Sequence, residues 1–229
     1  FKIFERPSHL PKGANTCRNI AFAMSTGRFV QWFDSDDIML PNFLISKYEF
    51  LLADPSCQFV VSRGKISFEK GYLGSRKLSQ SLYSDNIIED YLKFRLIFFT
   101  PGPMFRREIF DQVGLFNPTL SRHQEWELFL RVVLNHPNWG VIDSKTFVYN
   151  VNGNSITYRN NEKKKIARTE LEVFKSVFSI KTNPFKNKIP YHLRKSLIIK
   201  YLMVSFYYLE FRLFFWFCIA FLRESIQKN

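Results

Sequence analysis

The chain has 229 residues, 46% of them hydrophobic and 17% aromatic, which excludes a disordered or collagen-like polymer. Its net charge of +13 is uneven, with ten of the thirteen charges after residue 150, an excess that draws anions such as phosphorylated ligands, acidic headgroups or nucleic acid. Cys17, Cys57 and Cys218 are isolated, so neither a zinc cluster nor a disulfide framework is readable and a reducing compartment is expected.

The chain opens at Phe1-Lys2-Ile3-Phe4 with no methionine and no secretory signal. This reads as the middle of a strand, so further sequence upstream is expected. Gly27 to Phe33 is apolar, aromatic and β-branched and predicts a central strand running into Asp34-Ser35-Asp36-Asp37. Pro41 suits the start of a helix over Asn42 to Leu52, where positions 44, 45, 48, 51 and 52 carry the helical spacing. Gln58 to Ser62 reads as a buried strand, and Arg63 to Ser84 as a polar loop or weak hairpin. A helix is predicted over Asn86 to Phe94, ahead of the breaker run Thr100-Pro101-Gly102-Pro103. Arg106 to Val113 predicts a short helix closed by Gly114, Glu125 to Leu134 another, and Trp139 to Tyr149 a strand. Beyond Asn154 the character changes: Glu162 to Phe178 predicts a basic amphipathic helix, and Tyr191 to Ile226 one long or broken helical region. Alternating strands and helices in the first 150 residues predict an α/β core with a mainly parallel sheet, whose ligands bind beyond the carboxyl ends of the strands.

The acidic cluster sits at such an end. Three carboxylates within four residues repel one another unless a cation is present, and hard carboxylate oxygens suit Mg²⁺ or Mn²⁺ shared with substrate phosphates. In an extended segment Asp34 and Asp36 would project to one side. A solvated acidic turn ahead of a helix is the alternative.

The stretch from Gly13-Ala14-Asn15-Thr16-Cys17-Arg18-Asn19-Ile20-Ala21 through Gly27 to Asp37 and Leu40-Pro41 resembles the family-2 glycosyltransferases. Their pattern is a small-residue turn, Ala-Arg-Asn, a helix ending in Ala-x-Gly, an apolar strand and an Asp-x-Asp-Asp cluster. The resemblance implies a GT-A (Rossmann-like) fold, with Asp34 at the donor ribose or in the metal shell and Asp36 ligating the ion on the donor diphosphate. Asp37 is expected to cap the following helix. Gly13 would permit close backbone approach, and Asn19 would cap or bridge turns. Arg18 would pair with the diphosphate or with an acidic partner. Cys17 and Ala21 depart from the family's Ala and Gly, small residues in both cases.

A second block resembles the same family: Pro103-Met104-Phe105-Arg106-Arg107, then Val113-Gly114-Leu115-Phe116, then His123-Gln124-Glu125-Trp126-Glu127. The family opens this helix with an acidic pair whose second member is the catalytic base. Here the pair is Gln124-Glu125, so the first acid is lost and Glu125 is the expected base, with a helix-terminal carboxylate stabilised by the dipole as the alternative. Glu127, two residues on, faces elsewhere; Arg131 reads as a structural partner for an acid, and His123 as an exposed loop histidine.

These readings divide the chain into a partial GT-A catalytic domain over 1–157, short of its N-terminal strands, and a basic, aromatic helical extension over 158–229. The activity implied is a metal-dependent, hexosyltransferase-type transfer with inversion, from a nucleotide-sugar donor to a carbohydrate or lipid-linked acceptor. The setting implied is cell-surface polysaccharide or glycoconjugate synthesis in the cytoplasm, at the inner face of the cell membrane. The rival is a catalytically degenerate glycosyltransferase-like binding or assembly protein; a metal-dependent nucleotidyltransferase leaves the Gln-Glu-Trp-Glu helix unexplained. In the tail the longest closing uncharged run, Leu213 to Leu222, is ten residues, half of the about 20 that a span needs. Two readings of that tail stand: an interfacial helix or hairpin making a peripheral membrane contact, or a helix packed on the catalytic domain or a second subunit. No recognition motif supports nucleic acid.

Overall fold

The first helix, α1 over Ala14–Met24, follows Gly13, whose backbone (φ 141°) lies where glycine is favoured. The computed structural model describes residues 2–68, 81–151, 163–179 and 183–226. After α1 come strands β1 (Phe29–Val30) and β2 (Ile38–Met39), helix α2 (Phe43–Ala53), strand β3 (Phe59–Phe68), helix α3 (Ile87–Leu92) and strand β4 (Pro103–Arg106). Helices α4 (Ile109–Val113) and α5 (Gln124–Asn135) lead to strand β5 (Gly140–Val151), and helices α6 (Lys163–Phe178), α7 (Tyr191–Tyr207) and α8 (Phe211–Ile226) close the chain.

The expected α/β class is present, but the sheet is mixed. Its order is β1-β4-β3-β5-β2, and only the β3–β5 pair is parallel. The reason lies in the breaker run. Gly102 donates its N–H to the Phe99 carbonyl at 2.8 Å and accepts from Ser62 N–H at 3.1 Å, so the chain reverses there and enters β4 antiparallel to β3. The segment expected as a central strand before the acidic cluster is a two-residue edge of the described sheet, because only Phe29 and Val30 find partners, on β4.

β3 extends six residues further than its apolar run predicts. Its second half, Arg63 to Phe68, pairs with Lys145 to Val151 after a register shift at Ser62–Gly64. Gly64 allows this, since a Cβ there would overlap the Phe147 ring. The rest of the loop expected over 63–84 lies largely outside the described residues, as does the expected domain boundary at 157/158.

One hydrophobic cluster joins the sheet to the C-terminal helices. Phe59 stacks on Phe105 and on Trp139, with ring centroids 5.5 and 5.6 Å apart. Tyr201 of α7 stacks on Phe174 of α6 at 3.9 Å, and its hydroxyl donates to Glu170 at 2.8 Å. Phe217 of α8 is fully buried in the same cluster. The long helical region breaks at Tyr208–Glu210, where Leu209 has φ 55°, and its inner face is core. Among the described residues no helix is long and apolar enough to cross a membrane.

Candidate active site

Helix α1 presents Asn15, Arg18 and Asn19 on one face, the i, i+3, i+4 spacing of a single helical stripe. That stripe grips a segment a hundred residues away. Asn15 donates to the Asn117 carbonyl at 2.6 Å; Asn19 donates to the Phe116 carbonyl at 2.9 Å and accepts the Phe116 N–H at 3.1 Å. Between them Arg18 reaches two partners at once. One nitrogen donates to Asp34 Oδ1 at 2.5 Å, the other to Gln124 Oε1 at 3.2 Å, while the guanidinium lies over the Phe116 ring. A Cβ at Gly13 would meet nothing within 4 Å, so what this position requires is its φ and not the expected close backbone approach.

The acidic cluster is a turn, not the extended segment expected. Asp37 N–H donates to the Asp34 carbonyl at 3.2 Å, so the two-residue alternation that would set Asp34 and Asp36 on one side of a strand does not apply. Asp34 is half-buried against Arg18, and Asp36 is exposed to solvent. Asp37 is buried and accepts the Asn150 N–H at 3.0 Å, tying the turn to β5 instead of capping α2, whose N-cap position is Asn42. Asn150 also donates its side-chain amide to the Asp36 carbonyl at 2.7 Å. Nothing in the sequence around Asn150 marks that role, which exists only once β5 lies beside the turn.

Lys47 of α2 supports the same region from below. Fully buried, its amine donates to Gln31 Oε1 at 2.9 Å and to the Pro101 carbonyl at 2.6 Å, with the Phe43 ring 3.7 Å away. Burial pushes its pKa down to about 6.

The other wall is the start of α5. Gln124 holds Arg18 and donates its own amide to the Leu120 carbonyl at 2.9 Å. The neutral side chain at the family's first acidic position therefore orients the arginine. Glu125 follows, half-buried in the first turn. Glu127 is buried and paired with Arg131 at 2.9 Å, and Arg131 also donates to the carbonyls of Val113 and Leu115, which makes both of them structural. His123 is half-buried rather than exposed, with φ 51° and its ring 5.3 Å from that of Phe94.

Two polar groups beside α5 escaped sequence reading. The Tyr91 hydroxyl is fully buried and Arg122 Nη1 is buried too, and neither has a hydrogen-bond partner among the described residues. Burial, reinforced by the nearby Glu125 carboxylate, pushes the Tyr91 hydroxyl well above its ordinary range. Its ring stacks with Trp126, whose indole N–H donates to the Tyr91 carbonyl at 3.1 Å. A cavity of about 210 Å³ opens farther along the sheet, between β3, β5 and Phe98–Phe99, with Arg63 and Lys145 in its lining.

The structure thus brings Arg18, Asp34, Gln124 and, one residue on, Glu125 to one place, with Asp36 on the outer side of the turn. Among the described residues no group of three or more His, Cys, Asp or Glu is placed to hold a metal ion. Hard oxygen donors are nonetheless present: Asp36 is exposed and Asp34 keeps a second oxygen, the one or two carboxylates that suffice when substrate phosphates complete the shell.

Residues 1–114 match the sequence profile of Glycosyl transferase family 2. The chain belongs to that family. No curated protein matches this family-2 chain in sequence. The structure of S. aureus TarS residues 1–349 in complex with UDP-GlcNAc is similar to it with a TM-score of 0.55 at 15% identity, covering 85% of this chain and 53% of that one. A second S. aureus TarS structure gives 0.50 at 14% identity, over 82% of this chain and 30% of that one. The mannosyltransferase PcManGT from Pyrobaculum calidifontis, in complex with GDP-Man and Mn²⁺, gives 0.47 at 14% identity over 96% and 68%, too slight a likeness to argue from. The TarS likenesses establish the GT-A fold, and the family-2 chain spans about half the length of the first of those structures.

Proposed function

We propose that this family-2 chain carries the reacting face of an inverting glycosyltransferase, moving a hexosyl group from a nucleoside-diphosphate donor onto an acceptor hydroxyl. The observation that supports this best is Arg18: one guanidinium joins the Asp34–Asp37 turn to the start of α5 through Asp34 and Gln124. A diphosphate placed beside the turn would meet that positive charge, with Asp36 facing outward toward it. Glu125, half-buried at the same helix end, accepts the proton of the attacking hydroxyl as the bond to the anomeric carbon forms from the face opposite the departing diphosphate. A divalent ion held by Asp36 and Asp34 together with the donor phosphates would supply charge neutralisation for that leaving group. In this reading the acceptor is a carbohydrate or lipid-linked glycan, and the reaction belongs to polysaccharide or glycoconjugate synthesis at the inner face of the cell membrane.

Gln124 favours a second reading, binding without turnover, because it replaces an acid of the family's pair. The two separate cleanly. Glu125→Gln keeps size and polarity and removes the proton acceptor, so turnover of the donor is expected to fall about 10²–10⁴-fold while nucleoside diphosphate binding is retained. Turnover within a factor of about two of the parent would remove Glu125 from the chemistry. Nucleotide binding by a parent that never turns over would leave the binding reading.

A further inference from the structure

The inner faces of α7 and α8 are core, but their outer faces are apolar as well. On α8, Phe211, Phe215, Ile219, Leu222 and Ile226 are 51–72% exposed. At about 100° per residue all five fall within an arc of about 80°. On α7, Ile199, Met203 and Phe206 make a similar exposed stripe, and Leu209 continues it across the turn that joins the helices. Exposed apolar stripes of this kind on two adjacent helices are more than scattered surface hydrophobicity.

Charge identifies the occupant. Arg212 and Arg223 lie about 20–40° beyond the same edge of the α8 stripe, and Lys200 flanks the α7 stripe; all three are exposed. The only acids on the two helices and the turn between them are withdrawn from the surface contest: Glu224 is buried against Arg194 at 2.9 Å and Lys186 at 3.7 Å, and Glu210 faces Arg168. The outer face therefore offers aromatic and aliphatic side chains edged by cations, with no exposed carboxylate among the described residues of the hairpin. A second copy of the chain would bring these cations against their own kind. At sixteen residues α8 is about 24 Å long, short of the about 30 Å hydrocarbon core.

From this we infer that the outer face of the α7–α8 hairpin docks on an anionic lipid bilayer, lying in the interface with its apolar stripe among the acyl chains and Arg212, Arg223 and Lys200 at the headgroups. It deepens the proposed function by giving the transferase a surface from which a lipid-linked acceptor is reached, and rests on that reading only for its purpose.

The test is sedimentation of the full chain with vesicles of phosphatidylcholine alone and with about one-third phosphatidylglycerol. The parent should bind the anionic vesicles and largely ignore the neutral ones. Phe215→Glu/Ile219→Glu, at sites already more than half exposed, should stay folded by circular dichroism and lose binding at least about tenfold. Arg212→Gln/Arg223→Gln should weaken it about fivefold per cation, an effect that vanishes at about 0.5 M salt. Inorganic phosphate at matching ionic strength should compete no better than chloride, which separates a bilayer from a free anion. The proposal is overturned if the parent ignores anionic vesicles, if Phe215→Glu/Ile219→Glu binds as tightly, or if that variant instead splits a dimer seen by sedimentation velocity. Titration of UDP and GDP into the same samples reads the donor site independently, so loss of vesicle binding with nucleotide binding intact fails this inference alone.

Discussion

Arg18 sits between a carboxylate and an amide, and that placement separates its structural from its functional worth. Its pair with Asp34 is partly exposed, so the ion pair itself contributes at most about 1 kcal/mol. If it also meets the donor diphosphate, Arg18→Gln should lower nucleoside diphosphate affinity about tenfold or more by calorimetry while shifting the unfolding midpoint little. Asp36→Asn should remove the Mn²⁺ dependence of that binding, because Asp36 is the exposed carboxylate of the turn. Equal affinities with and without Mn²⁺ in the parent would end the metal reading. Tyr91 makes an opposite kind of prediction. Its hydroxyl is buried without a partner among the described residues, which costs about 1–3 kcal/mol, so Tyr91→Phe should leave urea stability unchanged or raise it by about 1 kcal/mol. A loss of stability would mean that the hydroxyl has a partner in solution.

Helix α5 shows what a single element holds together. Glu127 and Arg131 are one turn apart and both buried, and Arg131 also secures the carbonyls that end α4 around Gly114, whose φ is 72°. Arg131→Met should cost about 3–5 kcal/mol by leaving Glu127 charged and unpaired, and adding Glu127→Leu should recover part of that loss. A double variant no more stable than the single one would show that the carbonyl bonds, not the charge pair, matter. The same helix shows how far sequence carries. Its span, its N-terminal Glu125 and the structural character of Arg131 are all legible, because they depend on local periodicity and on neighbours three or four residues away. The roles of Asp37, Asn150 and Tyr91 are not, since each is set by a segment that arrives from elsewhere in the chain. The sheet's direction failed for a related reason: alternation of strands and helices predicts parallel pairing, and the Phe99–Gly102 reversal overrides it.

For the molecule as a whole, buried Lys47 sets a pH dependence. Its folded-state pKa of about 6 lies below the ordinary value of 10.5, so between those values the unfolded chain binds the extra proton and raising the pH stabilises the fold. The denaturation midpoint should therefore climb from pH 6.5 to 9, a rise that Lys47→Met should flatten. An unchanged slope in the variant would assign the rise to the general charge instead. Removing the chain from Tyr191 onward should not leave a folded core, because it strips Tyr201 from Phe174 and opens the main cluster; loss of the cooperative melt would confirm that these helices are integral. The grip of α1 on residues 116–124 has a kinetic meaning as well. Its hydrogen bonds join positions 97 to 106 residues apart, so a long loop must close before any of them forms, and local helices will precede them. Side chains that engage this late are absent from the folding transition state. Asn19→Ala should then speed unfolding and leave the refolding rate nearly untouched in stopped-flow experiments, so that the lifetime of the reacting face is governed by how slowly the chain lets go rather than how quickly it folds.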